Sequence, residues 1–282
     1  ILAAWYQSGQ PTPMRFYDVG DDRVAAYQQA LTQGARTVIG PLTKEQVTQL
    51  LSNLETTPTG APIPTLALNI PDRAATLPAG VWGVSLDPEE EAHMIAAQAM
   101  SKGLSRAAVL APNSKWGERM TNAFVRALEQ YGGSVLAQER FEDNDKSLKE
   151  KIERLVPPLR KGTPPPANGA QFVFMPSTPQ QAALVYPQIG FYSKQNVPVF
   201  ATSHVNEIST GRTYYEDLQG LNFCELPWVL NISSIQQHAR SQLSSVSPSN
   251  SQKLFRLQAL GYDALYLSLQ LFNRGTFGET NS

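Results

Sequence analysis

A threonine followed three residues later by a glutamine, just after a Gly-Pro turn, is the first arrangement in the chain with an evident chemical use. Thr43 and Gln46 have the spacing of a capping box, and they follow the β-favouring run Thr37-Val38-Ile39 and the breaker Gly40-Pro41. A strand that ends in such a turn presents the unpaired N–H groups of the next helix beyond its carboxyl end, where a carboxylate, phosphate or polar ligand is favoured. Thr43 serves equally well as the cap of its own helix. Asn69, closing the apolar run from Pro64, and Ser85 with Asp87, after the run from Gly80, fall at equivalent strand ends. Open α/β sheets bind ligands at that edge, although turn and capping roles account for Asn69 and Asp87 without a ligand.

Catalytic chemistry finds little support. His93, His204 and His238 are far apart and none has the spacing of paired metal ligands, so each reads as a surface or structural residue. The nucleophile elbow G-x-S-x-G and the phosphate-cradling patterns GxxxxGK[ST] and GxGxxG are absent. Glu89-Glu90-Glu91 is a carboxylate cluster, but adjacent acids on a helix point in different directions and suit its positive start. No enzyme, metal or cofactor is therefore expected.

The 282 residues, 41% hydrophobic and 17% charged, are enough for two cores. With 23 basic against 24 acidic residues, no global field draws the chain to nucleic acid or to an acidic membrane surface. The single cysteine, Cys224, excludes an internal disulfide framework. No apolar run reaches the roughly 18 residues of a membrane-spanning helix.

The elements that must hold the polar positions follow in order. Residues 1–7 read as the tail of a helix, Met14 to Asp18 as a short strand, and Arg23 to Gln33 as a helix with Val24, Tyr27, Ala30 and Leu31 on one face, stopped by Gly34. The strand at Thr37, the helix from Thr43 to Leu51 and the strand at Pro64 complete β-α-β-α-β, the pattern of a parallel sheet with right-handed crossovers. Asp87-Pro88-Glu89-Glu90 then starts a helix to about Met100. A second series follows: strand Arg106–Ala111, helix Gly117–Tyr131, strand Ser134–Arg140, helix Ser147–Leu159, strand Gln171–Met175, helix Thr178–Ile189, strand Pro198–Thr202 and a strand around Gly220 to Cys224. The last helix, Lys253 to Phe272, carries Leu254, Leu257, Leu260, Leu265, Leu269 and Phe272 near one stripe. The Pro-rich end of Glu142 to Asn168 and the polar stretch Asn231 to Ser251 read as surface insertions able to dock a partner.

In order and spacing, TVIGPLTKEQV, PTLALN, GVWGVSLDPEEEA, RAAVLAPNSKWGERMTNAFVRALEQYGGSVL, QFVFMPSTPQQAALVYPQI and VPVFATS resemble the type I periplasmic binding-protein fold. VIGPLTKEQV, LALN, residues 85–92 and Phe255 to Ala264 resemble, more narrowly, the LppC/LpoA family of outer-membrane lipoproteins, activators of a bifunctional class A penicillin-binding protein. The resemblance implies two α/β lobes, each a parallel sheet flanked by helices: residues 1–85 with 227–282, and residues 86–226. It implies that a first strand precedes the opening helix, so the chain reads as a segment of a larger protein whose lipid-bearing cysteine lies upstream. It also implies a place in the periplasm at the outer membrane, with no membrane contact except through that anchor. Asn113 and Trp116 match a loop that, in amino-acid-binding members, ends in an aromatic and Gly before a helix, and Ser177 and Thr202 fall at matching strand ends. Inter-lobe cleft contacts are thus expected from Thr43, Asn69, Ser85, Asp87, Asn113, Trp116, Ser177 and Thr202. The implied function is stimulation of a peptidoglycan synthase by protein contact; the alternative is a periplasmic receptor for amino acids or peptide fragments.

Overall fold

A computed structural model describes residues 1–9, 12–18, 23–56, 63–71, 77–159, 166–206, 216–230, 237–238, 241 and 254–273. The chain divides into two compact units, Ile1–Leu86 with Leu226–Ser282, and Asp87–Glu225. The first contains α1 (Leu2–Gln7), α2 (Arg23–Thr32), β1 (Val38–Ile39), α3 (Lys44–Thr56), β2 (Thr65–Ala67) and β3 (Val81–Gly83). The second contains α4 (Pro88–Ser101), β4 (Arg106–Pro112), α5 (Lys115–Gln130), β5 (Ser134–Phe141), α6 (Leu148–Leu155), β6 (Phe172–Phe174), α7 (Pro179–Ser193), β7 (Val199–Ala201), a 3-10 turn (Ser203–Val205) and β8 (Asn222–Phe223). The chain then returns to the first unit with α8 (Pro227–Leu230) and α9 (Phe255–Asn273).

The second unit has a five-stranded parallel sheet in the order β5-β4-β6-β7-β8. Alternation along each strand feeds two cores. Ala107, Val109, Ala111, Phe172, Phe174 and Phe200 meet α4 and α5 on one face, while Ala108, Leu110, Val173, Met175 and Ala201 meet α6 and α7 on the other. Phe124 of α5 stacks on Phe174 with centroids 4.2 Å apart and meets Phe172 edge-on. A register shift pairs Ala107 with Val135 and Ala108 with Ala137, leaving Leu136 as an extra, exposed residue. Helix α6 ends at Leu155, ahead of Pro157-Pro158, instead of running to Leu159. Helix α7 runs past Ile189 to Ser193 despite Pro187 and stops at Lys194 with positive φ.

The first unit has a three-stranded parallel sheet in the order β1-β2-β3. Helix α3 covers the face bearing Ala67 and Val81 through Val47 and Leu51, and α9 covers the face bearing Leu66 and Leu68 through Leu260 and Ala264. Residues 14–18, expected as a strand, carry no strand pairing. Parallel strands need a neighbour's ladder, and what fastens this segment instead is side-chain bonding, Arg15 and Tyr17 both donating to Gln33 Oε1 at 3.0 and 2.9 Å. On α9 the stripe differs from expectation: Leu254 and Leu257 are exposed, and the buried face is Phe255, Ala259, Leu260, Tyr262, Ala264, Leu265 and Ser268. The side chains of Val24 and Phe272 lie outside the described residues, as do the proline run before Pro166 and most of the polar stretch after Leu230.

Candidate functional site

In the first unit the polar groups at the carboxyl ends of the strands are bound to the fold itself. Gly40, at φ 120°, permits a turn through a cis Gly40-Pro41 bond that keeps pairing with β2: Gly40 N–H donates to Leu66 O at 2.8 Å, and Leu68 N–H to Pro41 O at 2.9 Å. Thr43 and Gln46 form a reciprocal box, with Gln46 N–H donating to Thr43 Oγ1 at 3.3 Å and Thr43 N–H donating to Gln46 Oε1 at 3.1 Å. Asn69 Nδ2 donates to Leu42 O at 3.1 Å, and its Oδ1 accepts from Ile70 N–H at 3.0 Å. Thr43 and Asn69 therefore meet at one loop, with Ser85 half-buried just past β3.

In the second unit the acids that start α4 diverge. Asp87 Oδ1 accepts from Glu89 N–H at 3.2 Å as the cap. Glu89 turns to α5, where Arg119 donates to it through Nε at 2.7 Å and through Nη2. Burial, then the neighbouring Asp87, push the Glu89 carboxyl above its usual range, against the pull of Arg119. Glu91 turns to the end of β7, where its two oxygens accept from Ser203 N–H at 2.6 Å and Ser203 Oγ at 2.7 Å. Cys224 is half-buried, and its thiol is pushed up by burial, with Glu91 and Glu225 adding to the effect.

The loop after β4 is built on close approach. Ser114 Oγ caps α5 by accepting from Gly117 N–H at 3.0 Å, and a Cβ on Gly117 would stand 2.1 Å from Pro112 O. Asn113 is exposed and donates to Glu142 Oε1 at 3.1 Å. Trp116 packs against the first core cluster and lies 5.0 Å from the His204 ring, and its buried Nε1 has no hydrogen-bond partner among the described residues. Ser177 and Thr202 are fully buried: Ser177 Oγ donates to Met175 O at 3.3 Å, whereas Thr202 Oγ1 has no partner among the described residues.

Of the eight expected contacts, then, Thr43 and Asp87 act as caps, Asn69 and Asn113 brace loops, and Ser177 and Thr202 are closed off from solvent. Trp116 and Thr202 are linked through the segment carrying His204. Glu91, Ser203 and Arg119 were not among the expected residues. The only signal for Glu91 was the acidic run, and its partner lies 112 residues away in sequence. No group of three His, Cys, Asp or Glu side chains suited to a metal occurs among the described residues.

Two parallel sheets, each sandwiched between helices, in two units between which the chain crosses twice, define the type I periplasmic binding-protein class. The chain belongs to the family described as LppC putative lipoprotein, which matches residues 3–274. It is 29% identical over 289 residues to the penicillin-binding protein activator LpoA of Pectobacterium parmentieri, covering 91% of this chain and 41% of that one. The LpoA of Vibrio cholerae is 28% identical over 253 residues, with 83% and 40% covered. The chain thus spans about two fifths of the length of these relatives. Among solved structures, the LpoA C-domain of Haemophilus influenzae, described as a regulator of PBP1A, superposes with a TM-score of 0.73 at 20% identity, over 96% of this chain and 80% of that one. A putative branched-chain amino acid ABC transporter protein of Chromobacterium violaceum gives 0.70 at 24% identity, over 96% and 80%. At these identities the likeness is one of fold.

Proposed function

We propose that the chain is a non-catalytic regulatory module that activates a class A penicillin-binding protein in peptidoglycan synthesis, held in the periplasm at the outer membrane by a lipid anchor outside this segment. The observation that carries the reading is how little of the strand-end chemistry is available. The Thr43 hydroxyl, both ends of the Asn69 amide and the Glu91 carboxylate are engaged within the fold. Family membership supports it, and so do the names of the relatives. Among the described residues no helix is long and apolar enough to cross a membrane. An activator works by binding two states of its target unequally, which needs a docking surface and no reacting group. The test is the rate of glycan polymerisation and cross-linking by the cognate synthase with and without the full-length protein. Stimulation that survives loss of the Thr43 and Thr202 hydroxyls (Thr43→Ala with Thr202→Val) is expected; no association at tens of micromolar would overturn the reading.

A second reading, a receptor for amino acids or peptide fragments, rests on Trp116 Nε1 and Thr202 Oγ1, which have no hydrogen-bond partner among the described residues. The two lobes, residues 1–85 with 227–282 and residues 86–226, would close on the ligand. Calorimetry with amino acids and muropeptides separates the two: tight binding that Trp116→Phe weakens favours the receptor.

A further inference from the structure

Helix α7 differs from its neighbours in what it shows to solvent. Residues Pro179–Ser193 include no charged side chain, whereas each of the other helices of eight residues or more among the described residues carries at least one. Ala182, Val185 and Ile189 are buried in the core under the helix. On the opposite side Leu184, Pro187 and Phe191 stand exposed, at the i, i+3, i+7 spacing of one helical line. Leu184 is 46% exposed and Phe191 74%, the highest value for a large apolar side chain among the described residues. Gln188, beside that line, spends its amide on the helix itself, with Nε2 donating to Leu184 O at 2.8 Å. Helix α6, which packs into the same core, instead exposes Lys149, Glu150 and Arg154. A surface helix is ordinarily charged on its outer face, so an uncharged apolar line marks a contact face.

The ends of the helix indicate what covers it. Asp143 is exposed at the first turn, where it accepts from Gln181 Nε2 at 3.0 Å. Lys194, also exposed, follows the last turn. The pattern is self-complementary about the midpoint between Pro187 and Gln188. Leu184 and Phe191 are equally far from that point along the chain, and so are Lys194 and Gln181, the residue that holds Asp143. Two such helices packed antiparallel on a two-fold axis through the midpoint set each Leu184 against the Phe191 of the other copy, and each Asp143 beside the other's Lys194. Their dipoles then run in opposition. We propose that α7 is a self-association face, covered by the α7 of a second copy of this chain in that antiparallel register, with apolar contacts at the centre and an ion pair at each end. One helix pair buries less than the roughly 800 Å² per partner of a standard interface, so the dimer is weak, with a Kd of about 0.1 mM.

Sedimentation velocity of residues 1–282 between about 10 µM and about 1 mM tests this, because that range brackets the expected Kd. The mass is expected to rise from monomer toward dimer. Phe191→Asp should raise the Kd at least about tenfold and leave the Tm of the monomer unchanged, since the ring already stands in solvent. Lys194→Glu sets like charges together at both ends and should weaken association about threefold; adding Asp143→Lys restores opposite pairs and should bring the Kd back to about that of the unaltered chain. A parallel or head-to-tail contact gains nothing from the double reversal. The proposal is overturned by a chain that stays monomeric to about 1 mM, by a dimer that Phe191→Asp leaves intact, or by a double reversal no better than the single one. Monomer throughout, with loss of synthase binding on Phe191→Asp, overturns it too and gives the face to that partner. Should Phe191→Asp not fold, Leu184→Asp on the same line takes its place.

Discussion

The two units share an architecture but differ in how completely it is filled. The second has five strands with ladders up to seven paired residues long, and two cores in which Phe124, Phe172, Phe174, Leu110 and Met175 are fully buried. Among its described residues the first has three strands of two or three residues and two smaller core clusters, with a cavity against its edge strand. Stability by burial is nearly proportional to apolar area removed from water, so the larger buried cores of the second unit are expected to contribute more to its stability. The same architecture thus appears once densely packed and once with a cavity against its edge strand.

The sharpest way to break that contrast is to remove one large side chain from each unit. Phe124→Ala in the second is expected to cost about 3–5 kcal/mol, because its ring is stacked and the surrounding core cannot collapse. Leu50→Ala in the first is expected near 2 kcal/mol, the low end for its type, because Leu50 already borders open space. Urea denaturation with hydrogen exchange resolved by unit measures both. Equal costs would mean that the cavity does not loosen its walls.

Glycine sharpens the comparison next. Gly117→Ala in the second unit forces a methyl against the Pro112 carbonyl 2.1 Å away and is expected to cost about 1–3 kcal/mol, the scale of overpacking in a filled core. At Gly40 in the first unit nothing lies within 4 Å of the added Cβ, so Gly40→Ala is opposed by its φ of 120° alone. Crystal structures of the two variants would separate displacement of neighbours at residue 117 from a local backbone change at residue 40.

Much of the dense half was legible in the sequence because its elements are long and their signals local. The Asp87-Pro88 start, the Thr178 cap and the alternation through Ala107–Ala111 each act within a few residues. Less was legible where tertiary context decides. Met14 to Asp18 has strand composition, but a strand exists only with a partner. The leucines at 254 and 257 fit a helical stripe, but the stripe that is buried is chosen by the sheet under α9. At the candidate site, residue types at strand ends could be read from the order of elements. Whether each hydroxyl turned to solvent, to its own backbone or into the core could not, as Thr43, Ser177 and Thr202 show. The Glu91–Ser203 contact joins two elements that no local rule relates.

Caps permit a comparison at smaller scale. Thr43→Ala in the first unit and Ser114→Ala in the second each remove one side-chain acceptor from a helix start and are expected to cost about 1 kcal/mol. Because Thr43 also receives Gln46 in return, Gln46→Ala should lose part of the same energy. A double-mutant cycle between Thr43 and Gln46 with no coupling would remove the box as the reason for the threonine, and would return Thr43 to the ligand reading.

The smallest effect is electrostatic and confined to acid. Asp145, before α6, accepts from Ser147 N–H at 2.9 Å, Ser147 Oγ at 2.7 Å and Lys151 Nζ at 2.5 Å. The ammonium of Lys151 first, then the Ser147 hydroxyl, hold its carboxyl well below the usual range for an aspartate. A carboxyl whose folded pKa is depressed contributes stability that is present above its unfolded value of about 4 and is lost as the pH falls from there toward the folded value. Asp145→Asn is therefore expected to lower stability by about 1 kcal/mol or less at pH 7, since Lys151 stays partly solvated, and to flatten the decline in stability below pH 4. No group of the first unit has a depressed carboxyl of this kind among those whose shift is resolved, so the acid limb that changes should be the one followed by exchange in the second unit alone. Loss of the limb in both units at once would mean that the two unfold as one cooperative body, and the contrast between them would then be one of packing without independent stability.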